Sequence, residues 1–426
     1  MGRLLFDHMK LKIIFFLILS IVTLSACNAK KTTPKTILIV SGWQDVNIGD
    51  IAHTPGLIHV LNTFMPDANI IVWKKSASEP VEELLNKNFP NVRILNGAVD
   101  ENSDVDNQEV IEAFNEADIM IHGSGPYIVG QPHLEAWVKH AGGKPFGVFG
   151  ATIEKIDDRL KTLLLKAAFI YTREMQSIGA LKNAGITGEH IAFVPDAVFY
   201  FNLHDDEKAL AYMSANNLEK EKYICAIPRL RKTPYYQINN RHLWSEKGIQ
   251  QVEEHNDKYK ETDHAKLRET MIEWVRATGN KIVVCPEMTY QVDIMDELLI
   301  DPLPEDVKPY VIKRGYWLPD EAASLYKSAY AVLSFDCHSP IIACANGTPF
   351  FYFRQPEDTS KGQMYYDLNF SDWIFEIDET SGTQITERLF EVQAAYPEAK
   401  KRITDEMNVI TEMYKTACEE IGRLLD

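Results

Sequence analysis

The sequence predicts an α/β fold in which two parallel β-sheets, each covered by helices, face each other across a cleft. Short aliphatic runs alternate with helical segments, which is the pattern of parallel βαβ units with helices on both faces of a sheet. The alternation occurs twice, on either side of a charged stretch at residues 202–222. Apolar residues make up 45% of the 426-residue chain, which is ordinary for a globular core.

The first alternating set begins with the run Thr36–Gly42. A continuous aliphatic run that ends at glycine is typical of a buried parallel strand. The same reasoning predicts strands at 70–73, 92–95, 119–123, 145–150, 169–172 and 191–195, and helices at 54–64, 78–88, 107–117, 133–141, 156–167 and 174–183.

The second alternating set begins at residue 223 and includes a charged detour at 231–265. Predicted strands are at 223–227, 281–285, 311–313, 330–334 and 349–353, and predicted helices at 266–278, 320–327 and 339–345. We therefore predict an N-terminal Rossmann-like domain at 36–205, a C-terminal Rossmann-like domain at 206–383 and a C-terminal helical tail at 384–426. This organisation matches the two-domain glycosyltransferase-B-like architecture. Ligands of open α/β sheets bind beyond the carboxyl ends of the strands, so the cleft is the predicted site.

The N-terminus has the features of a secretory signal peptide at residues 1–26. Lys10 and Lys12 precede a short apolar run, Ile13–Thr23, which leads directly to Leu24-Ser25-Ala26-Cys27. This order of charged, apolar and small residues is that of a cleaved signal. The tetrad resembles a lipobox, in which Cys27 becomes the lipid-bearing first residue. The alternative is an ordinary signal peptide followed by a chance cysteine.

A lipobox implies a membrane-anchored protein of the cell envelope, on the periplasmic face, with residues 27–35 as a tether. Asn28 follows the cysteine, and by resemblance to known lipoproteins this favours the outer membrane of a Gram-negative cell. The formal net charge of −17 argues against nucleic acid and anionic lipid surfaces as partners. The remaining cysteines lack metal-site spacing, and we predict no metal and no cofactor.

Polar clusters follow the predicted strands. The first is Asn47-Ile48-Gly49-Asp50, where Asp50 either caps the next helix or orients a polar ligand. The second is Gly123-Ser124-Gly125, whose backbone N–H groups suit an anion or a sugar oxygen, although a plain tight turn has the same composition. The third joins Arg173-Glu174 to Asp196, as a lock on the site or as a structural ion pair.

The fourth cluster, Ser334 to His338, is the sharpest. His338 directly follows a predicted buried strand and opens an apolar helix. A helix start favours anions, and an imidazole there can contact phosphate or transfer a proton. A packed or capping histidine is the alternative.

Taken together, the clusters resemble the polysaccharide pyruvyl transferase family over about residues 37–370. The pieces that carry the resemblance are Asn47 to Asp50, Gly123 to Gly125, Arg173-Glu174 with Ser177, Pro195-Asp196, Ser334 to His338, Gly347-Thr348-Pro349 and Lys361. The resemblance implies transfer of a pyruvyl group from phosphoenolpyruvate onto two hydroxyls of a glycan acceptor. It also implies that His338 is the catalytic acid or a phosphate contact, and that Arg229, Arg231 and Lys361 hold donor anions. For the two arginines a solvated basic loop is the alternative.

One motif position departs from the family pattern, Ser-Xaa-Arg-Xaa-His. Asp336 occupies the arginine position, and a carboxylate repels an anionic donor. In addition, phosphoenolpyruvate is cytoplasmic, whereas a lipobox predicts export. Three functions follow as alternatives: a pyruvyl transferase acting on an envelope glycan, a glycosyltransferase-like enzyme with a different donor, and a non-catalytic glycan-binding lipoprotein.

Overall fold

The computed structural model describes residues 34–238 and 241–426. The predicted signal peptide, the predicted lipidation site Cys27 and most of the predicted tether lie outside these residues. Within the described ranges, no helix combines the length and the apolar character that a bilayer-spanning segment needs.

The N-terminal half contains a parallel sheet of seven strands in the order β3-β2-β1-β4-β5-β6-β7. The strands are β1 (Thr36–Ser41), β2 (Asn69–Lys74), β3 (Arg93–Asn96), β4 (Ile119–His122), β5 (Phe146–Ala151), β6 (Phe169–Thr172) and β7 (Ile191–Phe193). β1 pairs with β2 on one side and β4 on the other. Residues 37–40 are therefore completely buried, which explains their uninterrupted aliphatic character.

Helices cover both faces of this sheet. They are α1 (Ile48–Phe64), α2 (Glu79–Asn88), α3 (Gln108–Glu116), α4 (Gln131–His140), α5 (Asp158–Leu164) and α6 (Met175–Asn183), and a 3₁₀ turn follows at Ala197–Tyr200. Each βαβ connection returns the chain to the same end of the sheet, so the loops at the carboxyl ends of the strands lie together.

The C-terminal half contains a parallel sheet of six strands in the order β10-β9-β8-β11-β12-β13. The strands are β8 (Tyr223–Ile227), β9 (Lys281–Val284), β10 (Val311–Lys313), β11 (Ala331–Ser334), β12 (Phe350–Arg354) and β13 (Ile374–Glu376). The helices of this half are α7 (Asp206–Ala215), α8 (Tyr235–Ile238), α9 (Glu246–Thr278), α10 (Gln291–Met295), α11 (Pro319–Ser328), α12 (His338–Ala345) and α13 (Gln363–Asp367). Two parallel sheets with alternating helices confirm the predicted α/β class.

Two helices end the chain, α14 (Gly382–Ala394) and α15 (Tyr396–Leu425). α15 begins on the C-terminal half, where the Tyr396 hydroxyl donates to the Tyr330 carbonyl at 3.1 Å. It ends on the N-terminal half, where the Tyr414 hydroxyl donates to the Asp196 carbonyl at 2.6 Å. The terminal helix therefore connects the two halves on the side of β6 and β7.

Two helix starts differ from the sequence prediction by more than two residues. α1 begins at Ile48 and not at residue 54, because the Asn47 side chain caps it by accepting from the backbone N–H of Gly49 at 2.7 Å. Asp50 is thus a first-turn residue and not the cap, and Pro55 lies inside the helix. α9 begins 20 residues before the predicted start at 266, because its first half packs partly through polar side chains such as Asn256 and Asp263.

Candidate active site

A cleft between the two halves lies at the carboxyl ends of both sheets. It contains a cavity of about 410 Å³, within the range of ordinary ligand sites. The N-terminal half contributes Trp43, Gln44, Asn47, Asp50, Lys75, Pro126, Tyr127, Val129 and Arg173, and the C-terminal half contributes Arg229, Thr233, Tyr235, Met288, Asp336, His338 and Lys361.

His338, at the start of α12, lies in the wall of this cavity and has partners at both ring nitrogens. Its Nδ1 lies 3.2 Å from the Glu287 carboxylate, which also accepts from the Ser339 backbone N–H at 2.6 Å. Its Nε2 lies 3.2 Å from Nε2 of His53, on α1. The imidazole is therefore held in one orientation by groups from both halves.

The hydrogen-bonded chain continues into the N-terminal half. His53 Nε2 lies 3.3 Å from Asp196 Oδ2, and the same oxygen accepts from Arg173 Nη1 at 2.7 Å. Arg173 Nε donates to the Thr152 hydroxyl at 2.8 Å. Arg173 is fully buried, and its Nη2 has no hydrogen-bond partner among the described residues. Arg173 therefore brings to the cavity lining a guanidinium nitrogen, Nη2, that makes no hydrogen bond within the described part of the chain.

These contacts determine which side chains of the hydrogen-bonded series are charged. Burial alone would lower the pKa of His338, but Cys337 and Glu287 act against burial and raise that pKa well above its usual value. Burial alone would raise the pKa of Glu287, but the hydrogen bond to His338 outweighs burial and lowers that pKa. Asp196 likewise has a lowered pKa, because His53 and Arg173 outweigh its burial. His338 is therefore protonated at neutral pH and paired with an ionised Glu287.

Within residues 34–238 and 241–426, His53, Asp196 and His338 form a group that could hold a metal ion. Each offers one ligand atom, and these atoms lie within 4.8 Å of one another, which suits zinc by ligand type. However, Asp196 Oδ2 already accepts from Arg173, whose charge would repel a cation at that oxygen. The geometry fits a chain of hydrogen bonds better than a metal centre.

A second charged group lies on the C-terminal side of the cavity. Arg229 Nε lies 3.2 Å from Asp336, and Arg229 Nη1 pairs with Asp358. Lys361 Nζ lies 3.0 Å from Asp358, and Gln291 donates to Asp336 at 2.5 Å. Burial and the charge of Glu287 raise the pKa of Asp336 to about 6. The positive charges of Arg229 and Lys361 are thus nearly balanced by the carboxylates of Asp336 and Asp358.

The structure places the sequence-predicted site residues in three settings. Asp50, Arg229, His338 and Lys361 line the cavity. Ser124 and Ser334 are buried in loop contacts: the Ser124 hydroxyl accepts from the Ala197 N–H at 2.9 Å, and that of Ser334 donates to the Asp336 carbonyl at 2.7 Å. Gly123 and Gly125 flank Ser124, and a Cβ at Gly125 would lie 3.0 Å from Trp43 Nε1. Arg231 lies apart from the cavity lining, paired with Asp263 at 2.8 Å and stacked on Tyr259.

Glu287 and His53 were not predicted as site residues, whereas Arg173 and Asp196 were predicted as a lock on the site or as a structural ion pair. The signal for Glu287 is weak, because it is a single acid in the loop after β9. Its importance comes from tertiary contacts, since its backbone carbonyl accepts from the Ile48 N–H at 3.0 Å across the cleft.

The Glu287–His338 pair predicts a pH-dependent stability. A lowered pKa at Glu287 stabilises the fold above about pH 4.5, the carboxyl's ordinary pKa, and this contribution is lost as pH falls. A raised pKa at His338 stabilises the fold below about pH 6.5, and this contribution is lost as pH rises through the higher folded-state value. We expect Glu287→Gln to lower the melting temperature most between pH 4.5 and 6.5, and clearly less at pH 9.

Asp104→Asn is the matched control, because Asp104 pairs with His140 at 2.9 Å on the surface and exposed pairs contribute little. Its melting temperature should follow the wild type across the same pH series. If Glu287→Gln lowered the melting temperature by the same amount from pH 4.5 to pH 9, this would contradict a charged Glu287–His338 pair.

The geometry of the cleft can be compared with known proteins. The family model for polysaccharide pyruvyl transferase matches residues 47–355, which include every residue of the hydrogen-bonded chain. The chain belongs to the polysaccharide pyruvyl transferase family. Within it, the Ser-Xaa-Arg-Xaa-His position that usually holds arginine holds Asp336, which contacts Arg229. None of the curated proteins compared with the chain matches it.

Solved structures share the fold at low sequence identity. UDP-GlcNAc 2-epimerase from Neisseria meningitidis, bound to UDP-GlcNAc, is similar over 91% of this chain and 100% of its own, with 11% identity and a TM-score of 0.54. Escherichia coli ADP-heptose LPS heptosyltransferase II is similar over 85% of this chain and 99% of its own, with 13% identity and a TM-score of 0.51. HepE of Anabaena, in complex with UDP and glucose, is similar over 91% of this chain and 98% of its own, with 10% identity and a TM-score of 0.54. These similarities confirm the glycosyltransferase-B-like architecture.

Proposed function

We propose that this protein transfers a pyruvyl-type group from an anionic enol donor, such as phosphoenolpyruvate, onto hydroxyls of a cell-envelope glycan. The observation that carries the proposal is the protonated His338 in the cavity wall, held by Glu287 at 3.2 Å and by His53 at 3.2 Å. Family membership supports the reaction class.

The chemistry needs a proton at carbon before a C–O bond can form. His338 gives its Nε2 proton to the CH₂ carbon of the donor, so that the C=C electrons form the new C–H bond and the neighbouring carbon becomes cationic. One glycan hydroxyl then attacks that carbon and passes its proton to the His338–His53 pair. The C–O bond to phosphate breaks, phosphate leaves with the electron pair, and a second hydroxyl closes the cyclic ketal and releases its proton to the departing phosphate. His338 Nε2 contacts His53 Nε2 at 3.2 Å, so the donor has to replace that contact.

Lys75, Arg173, Arg229 and Lys361 are the lysines and arginines of the cavity lining. Of these, Arg173, Arg229 and Lys361 would hold the donor's phosphate and carboxylate. Arg173 has an unused donor at Nη2. Arg229 and Lys361 share two carboxylates, so a donor anion competes with Asp336 and Asp358 for them. Protonation of Asp336, whose pKa is about 6, would remove one competitor at mildly acidic pH.

The cellular site is part of the proposal. The signal-like N-terminus and the lipobox-like Leu24-Ser25-Ala26-Cys27 favour an envelope protein anchored through lipid. An exported enzyme requires a donor that reaches the envelope, so a related enol phosphate carried by a lipid or a glycan is as suitable as free phosphoenolpyruvate.

A second candidate is a non-catalytic glycan-binding protein, or a transferase with a different donor. Asp336 supports it, because this carboxylate stands where the family has a cation and pairs with Arg229 at 3.2 Å. A cleft whose charges nearly balance suits a neutral sugar better than a multiply charged donor.

The test is release of inorganic phosphate from phosphoenolpyruvate by the purified protein in the presence of envelope glycans. We expect His338→Asn to reduce turnover at least about 100-fold, since a positioned proton donor contributes that much or more. His140→Asn, which changes a histidine of α4 outside the cleft, should turn over like the wild type.

Three outcomes would contradict the proposal. Equal turnover by His338→Asn and the wild type would exclude His338 as the proton donor. Loss of activity on treatment with a chelator, restored by zinc, would make His338 a metal ligand and not a proton donor. Glycan binding with no turnover on any enol phosphate would favour the second candidate.

A further inference from the structure

Two exposed tyrosines face the cleft, one from each half. Tyr127, in the loop after β4, has 61% of its surface exposed, and Tyr235, at the start of α8, has 40%. Both belong to the lining of the main cavity. Most large aromatic side chains of this protein are buried, so an exposed pair at the site calls for an explanation other than packing.

Tyr127 also lines a second cavity, the side groove, which has a volume of about 410 Å³. The groove adjoins the main cavity along Pro126 and Tyr127, which belong to both linings. The side groove is also lined by Ile128, Gln131, Ile153, Glu154, Asp157 and Thr359, and by one lysine, Lys155. The Tyr127 ring therefore stands at the junction of two ligand-sized spaces.

Both halves of the protein build the side groove. The backbone N–H of Ser360 donates to Glu154 Oε1 at 2.7 Å and so joins the C-terminal half to the loop after β5. The neighbouring Thr359 has φ 57° and ψ −145°, a strained conformation for a residue with a side chain. Strain of this kind is found at ligand-holding positions more often than elsewhere.

The lining of the groove suits a sugar ring. Ile128 and Ile153 are buried and form an apolar surface, while Gln131 and Glu154 add groups that can bond to hydroxyls. A tyrosine ring packs well against the apolar face of a pyranose while its hydroxyl stays in water. Two acids, Glu154 and Asp157, against one lysine in the lining make a polyanionic ligand unfavourable.

We propose that the side groove is an acceptor subsite for an uncharged oligosaccharide of two or more sugars. In this arrangement Tyr127 lies between the reacting sugar, in the main cavity, and the next sugar, in the side groove. Tyr235 covers the reacting sugar from the opposite half. The inference rests on the proposed function for the identity of the ligand as a glycan, and it adds where the acceptor lies and its minimum length.

The experiment is binding to a printed array of glycans from one to several sugars long. It uses His338→Asn, which removes the proposed proton donor, so that binding is measured without turnover. We expect this protein to bind uncharged glycans of two or more units, and Tyr127→Ala in the same background to bind them about 3- to 10-fold more weakly, with little change for monosaccharides. Tyr127→Phe should retain binding because it keeps the ring. Tyr310→Ala changes an exposed tyrosine that lines neither cavity and should bind like its parent.

The outcomes separate this proposal from the proposed reaction. If glycans bind in a Tyr127-dependent way but no enol phosphate is turned over, the subsite stands and the pyruvyl transfer fails. If no array glycan binds, if Tyr127→Ala binds as tightly as its parent, or if monosaccharides lose as much affinity as longer glycans, the subsite is overturned, whatever the reaction.

Discussion

Replacing Arg173 with methionine is expected to lower the free energy of unfolding by about 3–5 kcal/mol, the range for removing one partner of a buried ion pair. Arg173 and Asp196 are both fully buried, and their side chains meet at 2.7 Å. Methionine preserves most of the packing of the arginine stem, but it leaves the Asp196 carboxylate with only histidines opposite. A carboxylate left without its main cation in a buried site is a large electrostatic loss.

Arg93→Met is the matched control, because Arg93 pairs with Glu116 at 2.9 Å while both side chains are about half exposed. Exposed pairs of this geometry contribute about 0–1 kcal/mol. Chemical denaturation monitored by tryptophan fluorescence measures both variants. Arg173→Met combined with Asp196→Asn should recover part of the loss, since it removes the unpaired charge. Equal effects at the buried and exposed arginines would show that Asp196 is not ionised in the folded protein.

The fold could largely be predicted from the sequence because buried parallel strands are continuous aliphatic runs. Phe169–Thr172, Tyr223–Ile227 and Val311–Lys313 have the predicted bounds. β13 (Ile374–Glu376) was not predicted as a strand. The first half of α9 was missed for a different reason: its packing face contains Asn256, whose side chain bonds to the backbone of Lys232, where an apolar stripe would be expected.

The candidate site could be predicted in part, because the order of the clusters along the chain places them at strand ends. His338 was identified this way and Lys361 through the family resemblance, and both line the cavity. Arg231 shows the limit of the argument. It follows β8 as Arg229 does, yet only Arg229 reaches the cavity, while Arg231 meets Asp263 on α9 at 2.8 Å. The pairing that keeps Arg231 out of the cavity lining thus comes from a part of α9 that was not predicted from the sequence.

The Asp336 substitution has a structural context that the motif alone does not give. In the sequence it is the loss of a cation next to His338. In the structure it contacts Arg229, which comes from another strand end, at 3.2 Å. A guanidinium therefore still lines the cavity together with His338, although it pairs with two carboxylates, Asp336 and Asp358.

Gly49→Ala is expected to displace His338 and to destabilise the protein. A Cβ at residue 49 would lie 2.1 Å from His338 Cγ and 2.2 Å from its Nδ1, far inside the contact distance of two heavy atoms. Either α1 or the imidazole has to move, and movement of the imidazole breaks its contact with Glu287. We expect a lower melting temperature together with loss of any turnover that depends on His338.

The clash can be separated from helix propensity by two further variants. Gly179→Ala, in α6, adds a methyl group with no heavy atom within 4 Å, and alanine favours a helix over glycine by about 1 kcal/mol, so this variant should be neutral or more stable. The three atoms nearest the added methyl of Gly49→Ala all belong to the His338 side chain. In a His338→Gly background the same substitution should therefore cost much less stability than in the wild type. A loss of equal size in both backgrounds would mean that the first turn of α1 excludes side chains for a reason other than the imidazole.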